Sequence, residues 1–139
     1  MSAADEVVRV ALLWSQKATN DLQAAVQILK LGENCPTDTA CFHAQQSVEK
    51  NLKALLVLHA MDFPRTHHIS SLLQLLPEPL RPDLTPDEQE RLSDYAVSAR
   101  YPGDYDPITL AEARRAVRIA RRVSKQIRAH LPKAKRRTR

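Results

Sequence analysis

Glycine is almost missing from this chain, with two residues in 139. A Gly-rich phosphate loop of the P-loop or dinucleotide type needs several glycines close together, so both are excluded. Aromatic residues make up 4%, and Ala, Leu, Arg and Gln are abundant, a balance that favours helices over strands. The two cysteines, Cys35 and Cys41, are six apart without a CxxC spacing. They support neither a disulfide nor a zinc site and read as buried or idle thiols. No apolar run approaches the roughly 20 residues that a bilayer crossing needs. The first residues are acidic where a secretion signal would be basic. The expectation is a soluble, cytoplasmic chain with no membrane association. HExxH and a Ser-His-Asp order are lacking too, and the residues suggest no cofactor, metal ligand set or catalytic group.

The charge is unevenly spread. Lys and Arg number 21 against 16 Asp and Glu, for a net +5. Five of those cations, Lys133, Lys135, Arg136, Arg137 and Arg139, fall in the last seven residues, and without them the charges balance. The chain therefore divides into a helical domain over 1–132 and a basic tail over 133–139. Such a tail can touch nucleic acid or an acidic partner, or be a solvated end.

Periodicity places the helices. The organising stretch is 39–61, in which Cys41, Ala44, Val48, Leu52, Leu55 and His59 share one side of a 3.6-residue repeat. Gln45, Gln46, Glu49, Lys50 and Lys53 flank that stripe, either as a solvated edge or as amides and charges that need partners. A first helix is expected over 5–31, with Val7, Ala11, Trp14, Ala18, Leu22, Ala25 and Leu29 on one face and Gly32 as its stop. The short link to the second helix implies an antiparallel hairpin. Beyond Pro64, Thr66 is placed to cap a short helix with Ile69, Leu72, Leu73 and Leu76 as its stripe. Pro77, Pro79 and Pro82 interrupt regular structure. Thr85-Pro86-Asp87-Glu88 is a capping box with proline at the first helical position. It opens a fourth helix that turns Leu92, Tyr95, Ala96 and Ala99 inward. Thr109 and Glu112 make a second box for the last helix. There Leu110, Ala113, Val117, Ala120, Val123, Ile127 and Leu131 form the buried side, and Arg114, Arg118, Arg121, Lys125 and Arg128 form a basic ridge. The ridge reads as an exposed face with acidic neighbours or as a nucleic-acid surface.

Histidines offer no metal grip. His67 and His68 are adjacent, so on a helix they point about 100° apart. His43 and His59 stand roughly 24 Å apart along their helix. The remaining chemistry lies at a helix end. Arg100 and Tyr101 precede Pro102-Gly103. The guanidinium there can hold a phosphate in a bidentate grip or bond the last helical carbonyls, and Tyr101 can stack on a base.

These residues together resemble a known family. Phe42-His43-Ala44-Gln45-Gln46-Ser47-Val48-Glu49-Lys50 with Leu52-Lys53-Ala54-Leu55, then Phe63-Pro64-Arg65-Thr66-His67, then Ala99-Arg100-Tyr101-Pro102, are similar to the motifs of HEPN domains. That family of small helical proteins occurs in higher eukaryotes and prokaryotes and is named for nucleotide binding. The resemblance runs from Trp14 to Leu131. It implies an all-α, up-and-down bundle of about five helices that pairs as a homodimer. It further implies one of two roles: partner of a minimal nucleotidyltransferase in a toxin–antitoxin pair, or metal-independent ribonuclease. The ribonuclease branch carries Arg, four to six residues, then His. Here Arg100 matches, but Tyr105, Asp106 and Pro107 stand where the His would fall, so whether the chain is an enzyme stays open. The expected function is nucleotide or nucleic-acid binding without catalysis. Candidate phosphate-binding residues are Arg100, Tyr101, Lys50, Lys53, His67, Gln45 and Gln46, with a nucleotide or RNA as ligand. A ribonuclease using His67 from another helix, and a domain that only dimerises and scaffolds, are the alternatives.

Overall fold

The computed structural model describes residues 2–98 and 106–133, and these hold five α-helices and no strand: α1 (Ala3–Leu29), α2 (Thr37–Leu58), α3 (Ile69–Leu75), α4 (Pro86–Ser98) and α5 (Leu110–Arg128). Single 3-10 turns at Gly32–Asn34 and Glu78–Leu80 sit in two of the connections. The four long helices alternate in direction, and α3 is a short brace. Trp14 stands beside Lys53 and Asp21 beside Lys50, so α1 and α2 are antiparallel. Thr37 Oγ1 donates to the Ile108 carbonyl at 2.7 Å, bringing the starts of α2 and α5 together. Glu88 meets Arg122 while Tyr95 meets Glu112, so α4 runs against α5.

Helix ends follow local chemistry. Helix α1 begins at Ala3 because Ser2 caps it in a reciprocal box with Asp5, two residues before the expected start. It stops at Leu29, and Gly32 takes φ +78°, a conformation that suits a residue without Cβ. Helix α2 ends at Leu58, before the expected Met61, in a Schellman motif. Met61 N–H donates to the Leu56 carbonyl and Ala60 N–H to that of Val57, with Ala60 at φ 54° in the position usually given to glycine. His59 is therefore an exposed cap residue and not part of the stripe. The Thr85–Glu88 box forms in both directions, at 3.0 and 3.1 Å. The Thr109 box forms only by half: Thr109 Oγ1 accepts from Glu112 N–H, but the Glu112 carboxylate accepts from Tyr95 Oη at 2.9 Å. Thr66 does not cap α3. Its hydroxyl accepts from His68 N–H, and the first amide of α3, Ile69 N–H, goes to Ser93 Oγ of α4.

Helix α2 is the centre of the bundle. Thirteen of its 22 residues are buried, more than one face of a surface helix supplies. Val48, Leu52, Leu55 and Leu56 pack with Ile69, Leu72, Leu76, Leu92, Val123 and Ile127 in one core. Each buried leucine contributes on the order of 2 kcal/mol. The opposite side of α2 presents Ala40, Ala44, Ser47, Asn51 and Ala54 at four- and three-residue steps, all buried. Ala11, Ala18 and Ala25 of α1, every seventh residue and each 0% exposed, answer them. Small side chains on both sides let the two backbones approach closely, and α1 and α2 share the largest interface of the fold. Among the described residues Ser47 Oγ and Asn51 Nδ2 in this seam find no hydrogen-bond partner.

Candidate functional site

The flank of α2 is not a solvated edge. Gln45, Glu49 and Lys53 follow each other at four-residue steps, one turn apart, and are 0%, 3% and 9% exposed. Such burial requires partners, and they come from one turn up, one turn down and two distant segments. Glu49 Oε2 accepts from Lys53 Nζ at 3.1 Å. Glu49 Oε1 accepts from Gln45 Nε2 at 3.1 Å and faces His67 Nδ1 at 2.7 Å. Gln45 Nε2 also reaches the His67 carbonyl at 3.4 Å, and Gln46 Nε2 donates to Gln45 Oε1 at 2.6 Å. A carboxylate can only accept here, so Nδ1 carries the imidazole proton. The His67 side chain keeps 48% of its surface in solvent. The cluster is thus dry at Glu49 and open at His67.

Two aromatic rings close the dry end. Trp14 of α1 and Phe63 of the α2–α3 loop meet edge to face with centroids 6.4 Å apart. Lys53 Nζ lies 5.5 Å from the Trp14 ring centroid and 5.6 Å from that of Phe63. A desolvated ammonium gains from both ring faces while Glu49 neutralises it.

Asp21 of α1 builds a second set alongside. Its Oδ2 accepts from Lys50 Nζ at 2.6 Å and its Oδ1 faces His43 Nδ1 at 2.8 Å. Each of the two carboxylates therefore joins one lysine and one histidine. Lys50 and Lys53, expected to meet phosphate, pair with Asp21 and Glu49. Gln45, Gln46, Lys53 and His67 come together as one connected group, and Lys50 belongs to the neighbouring one. Arg100 and Tyr101 lie outside the described residues, as does Ala99. His68 turns away, with Nδ1 3.0 Å from Ser71 Oγ. No group of three or more His, Cys, Asp or Glu could hold a metal ion among the described residues.

Trp14, Asp21 and Glu49 were not among the expected site residues. The four-residue step from Gln45 to Glu49 to Lys53 was a usable signal for Glu49. Nothing local marked Asp21, whose partners lie 22 and 29 positions away.

A separate polar point lies deeper, between α2, α4 and α5. Burial pushes the Cys41 thiol up to about 12, and the Glu112 carboxylate adds to the shift. Burial also raises Tyr95, helped by Cys41 and by its hydrogen bond to Glu112. These groups stay protonated and hold the core together.

The comparisons agree with this architecture. The family model for the HEPN domain matches residues 11–130. TT1696 from Thermus thermophilus is 30% identical, with a TM-score of 0.72 over 87% of this chain and 98% of that one. ST0689, an archaeal HEPN homologue, is 25% identical, with a TM-score of 0.64 over 94% of this chain and 98% of that one. No curated protein matches in sequence. The chain belongs to the HEPN domain family. No helix among the described residues is long and apolar enough to cross a membrane.

Proposed function

We propose that this HEPN protein binds the phosphate of a nucleotide or nucleic acid at the open end of the α2 cluster, without cleaving it. His67 and Arg100 would share the phosphate, Tyr101 would stack on a base, and Gln45 and Gln46 would fix the cluster behind them. The observation that carries this reading is the 2.7 Å contact between Glu49 and His67, which holds a half-exposed imidazole in one tautomer and orientation. Lys50 and Lys53 anchor the cluster through their carboxylates at its edge. The binding unit is a homodimer whose cleft brings two copies of the site together, and its partner is a minimal nucleotidyltransferase in a toxin–antitoxin-type pair. Isothermal titration with a panel of nucleotides and short RNAs should give heat that His67→Ala and Arg100→Ala each remove. Absence of heat, or heat indifferent to both substitutions, sinks the reading. Light scattering of the purified chain, alone and with the candidate nucleotidyltransferase, checks the assembly.

The same contact supports a second reading, a metal-independent ribonuclease with a non-standard set. A carboxylate that accepts from Nδ1–H fixes the tautomer and orientation of the ring, which a general base needs. His67 would then do the work of the missing motif histidine. Expression should arrest growth and degrade cellular RNA, and His67→Ala should relieve both effects. Harmless expression with intact RNA removes this alternative.

A further inference from the structure

The basic ridge of α5 is a second polyanion surface, separate from the α2 cluster. Arg114, Arg118, Arg121, Lys125 and Arg128 are all exposed; four of them line pockets against α1, and Lys125 shares their helical spacing. Among the described residues none has a carboxylate within ion-pair reach; Arg128 donates only to Thr19 Oγ1, at 3.1 Å. The same helix supplies its own comparison. Arg122 pairs with Glu88 at 2.8 Å and Arg115 lies 4.0 Å from Asp87, both carboxylates on α4. Arginines facing α4 are neutralised, whereas those facing α1 are not. Four successive like-charge pairs at three- and four-residue steps disfavour the helix they stand on, and among the described residues no carboxylate offsets that repulsion.

Lys30, the residue that caps the end of α1, joins Arg114, Arg118 and Arg121 around a groove of about 330 Å³. Its floor is apolar, made by Val26, Leu29 and Val117. From Arg114 to Arg128 the ridge is about 21 Å long, enough for roughly six nucleotides of one strand at 3.4 Å each. Beyond that groove, Arg128 and Lys133 line a second pocket against α1, and the sequence continues from Lys133 into Lys135, Arg136, Arg137 and Arg139 with no acidic residue.

We infer that the α5 ridge binds the sugar-phosphate backbone of a nucleic-acid strand, with phosphates on the arginine forks and sugars on the apolar floor. Charge complementarity selects this occupant. A line of cations at regular steps, running on into a uniformly basic tail, fits a polymer with one negative charge per repeat. Among the described residues no aromatic ring lines either pocket, so recognition rests on backbone charge and is indifferent to base identity. This inference does not depend on the phosphate site at His67.

The test is fluorescence anisotropy with a labelled 20-nucleotide single-stranded RNA and a matched duplex, over a salt series, in an Arg100→Ala background that removes the proposed cleft contact. Binding should persist, with log K falling against log salt at a slope of about −3.5 for the single strand and about −4.5 for the duplex, as five phosphate contacts require. The exposed triple variant Arg114→Gln/Arg118→Gln/Arg121→Gln should melt no lower than the parent, since it relieves like-charge neighbours on the helix. It should lose about 2 from the single-strand slope and bind about a hundredfold more weakly at 0.1 M salt. A double variant of paired cations, Arg115→Gln with Arg91→Gln (Arg91 of α4 pairs with Asp87 at 3.0 Å), should change affinity far less. The inference is overturned if RNA binding vanishes with Arg100→Ala alone, if the triple variant binds like the parent, or if the paired-cation variant weakens binding equally. Competition by polyglutamate as effective as RNA at equal charge would assign the ridge to an acidic polypeptide and equally overturn it.

Discussion

Glu49 Oε1 stands 2.7 Å from His67 Nδ1 while its other oxygen holds Lys53 at 3.1 Å. One buried carboxylate therefore serves the fold on one side and the proposed site on the other. Its removal has two separable consequences. Glu49→Ala leaves the Lys53 ammonium desolvated and unneutralised, which should cost about 3 kcal/mol in urea unfolding. Replacing the pair together, as Glu49→Leu/Lys53→Met, should recover most of that loss, because apolar side chains of similar volume need no partner. Ligand heat should not return in the double variant, since His67 would still lack its orienting group. Recovery of both would separate Glu49 from function.

Ala60 sits at φ 54° and completes the Schellman turn that ends α2. A Cβ is disfavoured in that conformation, and glycine is not. Ala60→Gly should therefore stabilise the chain by about 0.5–1 kcal/mol, reduced somewhat by the greater freedom glycine has when unfolded. A higher urea midpoint at unchanged slope is the expected measurement. A lower midpoint would mean that the turn is not formed as described.

Burial pushes the Glu88 carboxyl up, but the Thr85 amide and the Arg122 guanidinium outweigh it and hold the group below its usual 4.5. A carboxyl lowered in the folded state stabilises that state fully above its unfolded value. The contribution is lost as the pH falls from about 4.5 through the lower folded value. Glu88→Gln should accordingly lower stability near neutrality and flatten the loss below about pH 4.5. Thr85→Ala should cost about 1 kcal/mol through the cap itself. Urea midpoints collected from about pH 6 to pH 3 test both.

Cys41 is fully buried, and burial raises its thiol to about 12. The reactive species is the thiolate, so neither ionisation nor access favours attack. In a Cys35→Ser background, the native chain should leave a disulfide reagent unreacted over an hour at about pH 8 and react completely in concentrated urea. Rapid native labelling would show that the α2–α4–α5 junction opens.

The long helices were legible because their signals are local. The Thr85-Pro86-Asp87-Glu88 box formed as read, and five of the seven α5 stripe residues are buried, with Leu110 and Leu131 only partly so and Ala116, Ile119 and Ser124 buried beside them. Trouble began where one side chain had two claimants. Glu112 is correctly spaced to complete a box with Thr109, yet Tyr95, 17 positions away, takes its oxygen. The edge of α2 was harder, because periodicity treats a glutamine or lysine as a candidate for water. Their burial depends on Trp14 and Phe63 arriving from other segments, which no window along α2 contains. Of the site, the Gln45–Glu49–Lys53 step was visible and the Asp21 set was not. Arg100 and Tyr101 fall outside the described residues.

The alanine seam between α1 and α2 limits what change the chain can absorb. Methyl groups at Ala11, Ala18 and Ala25 are the only side chains on that line of α1 that are wholly enclosed. Adding or deleting a single residue within α1 would swing everything beyond it around the helical axis, bringing larger neighbours such as Lys17 or Val26 where only a methyl fits. Variation in length should thus collect in the connections, while relatives keep the spacing of these two helices intact even where their surfaces have diverged.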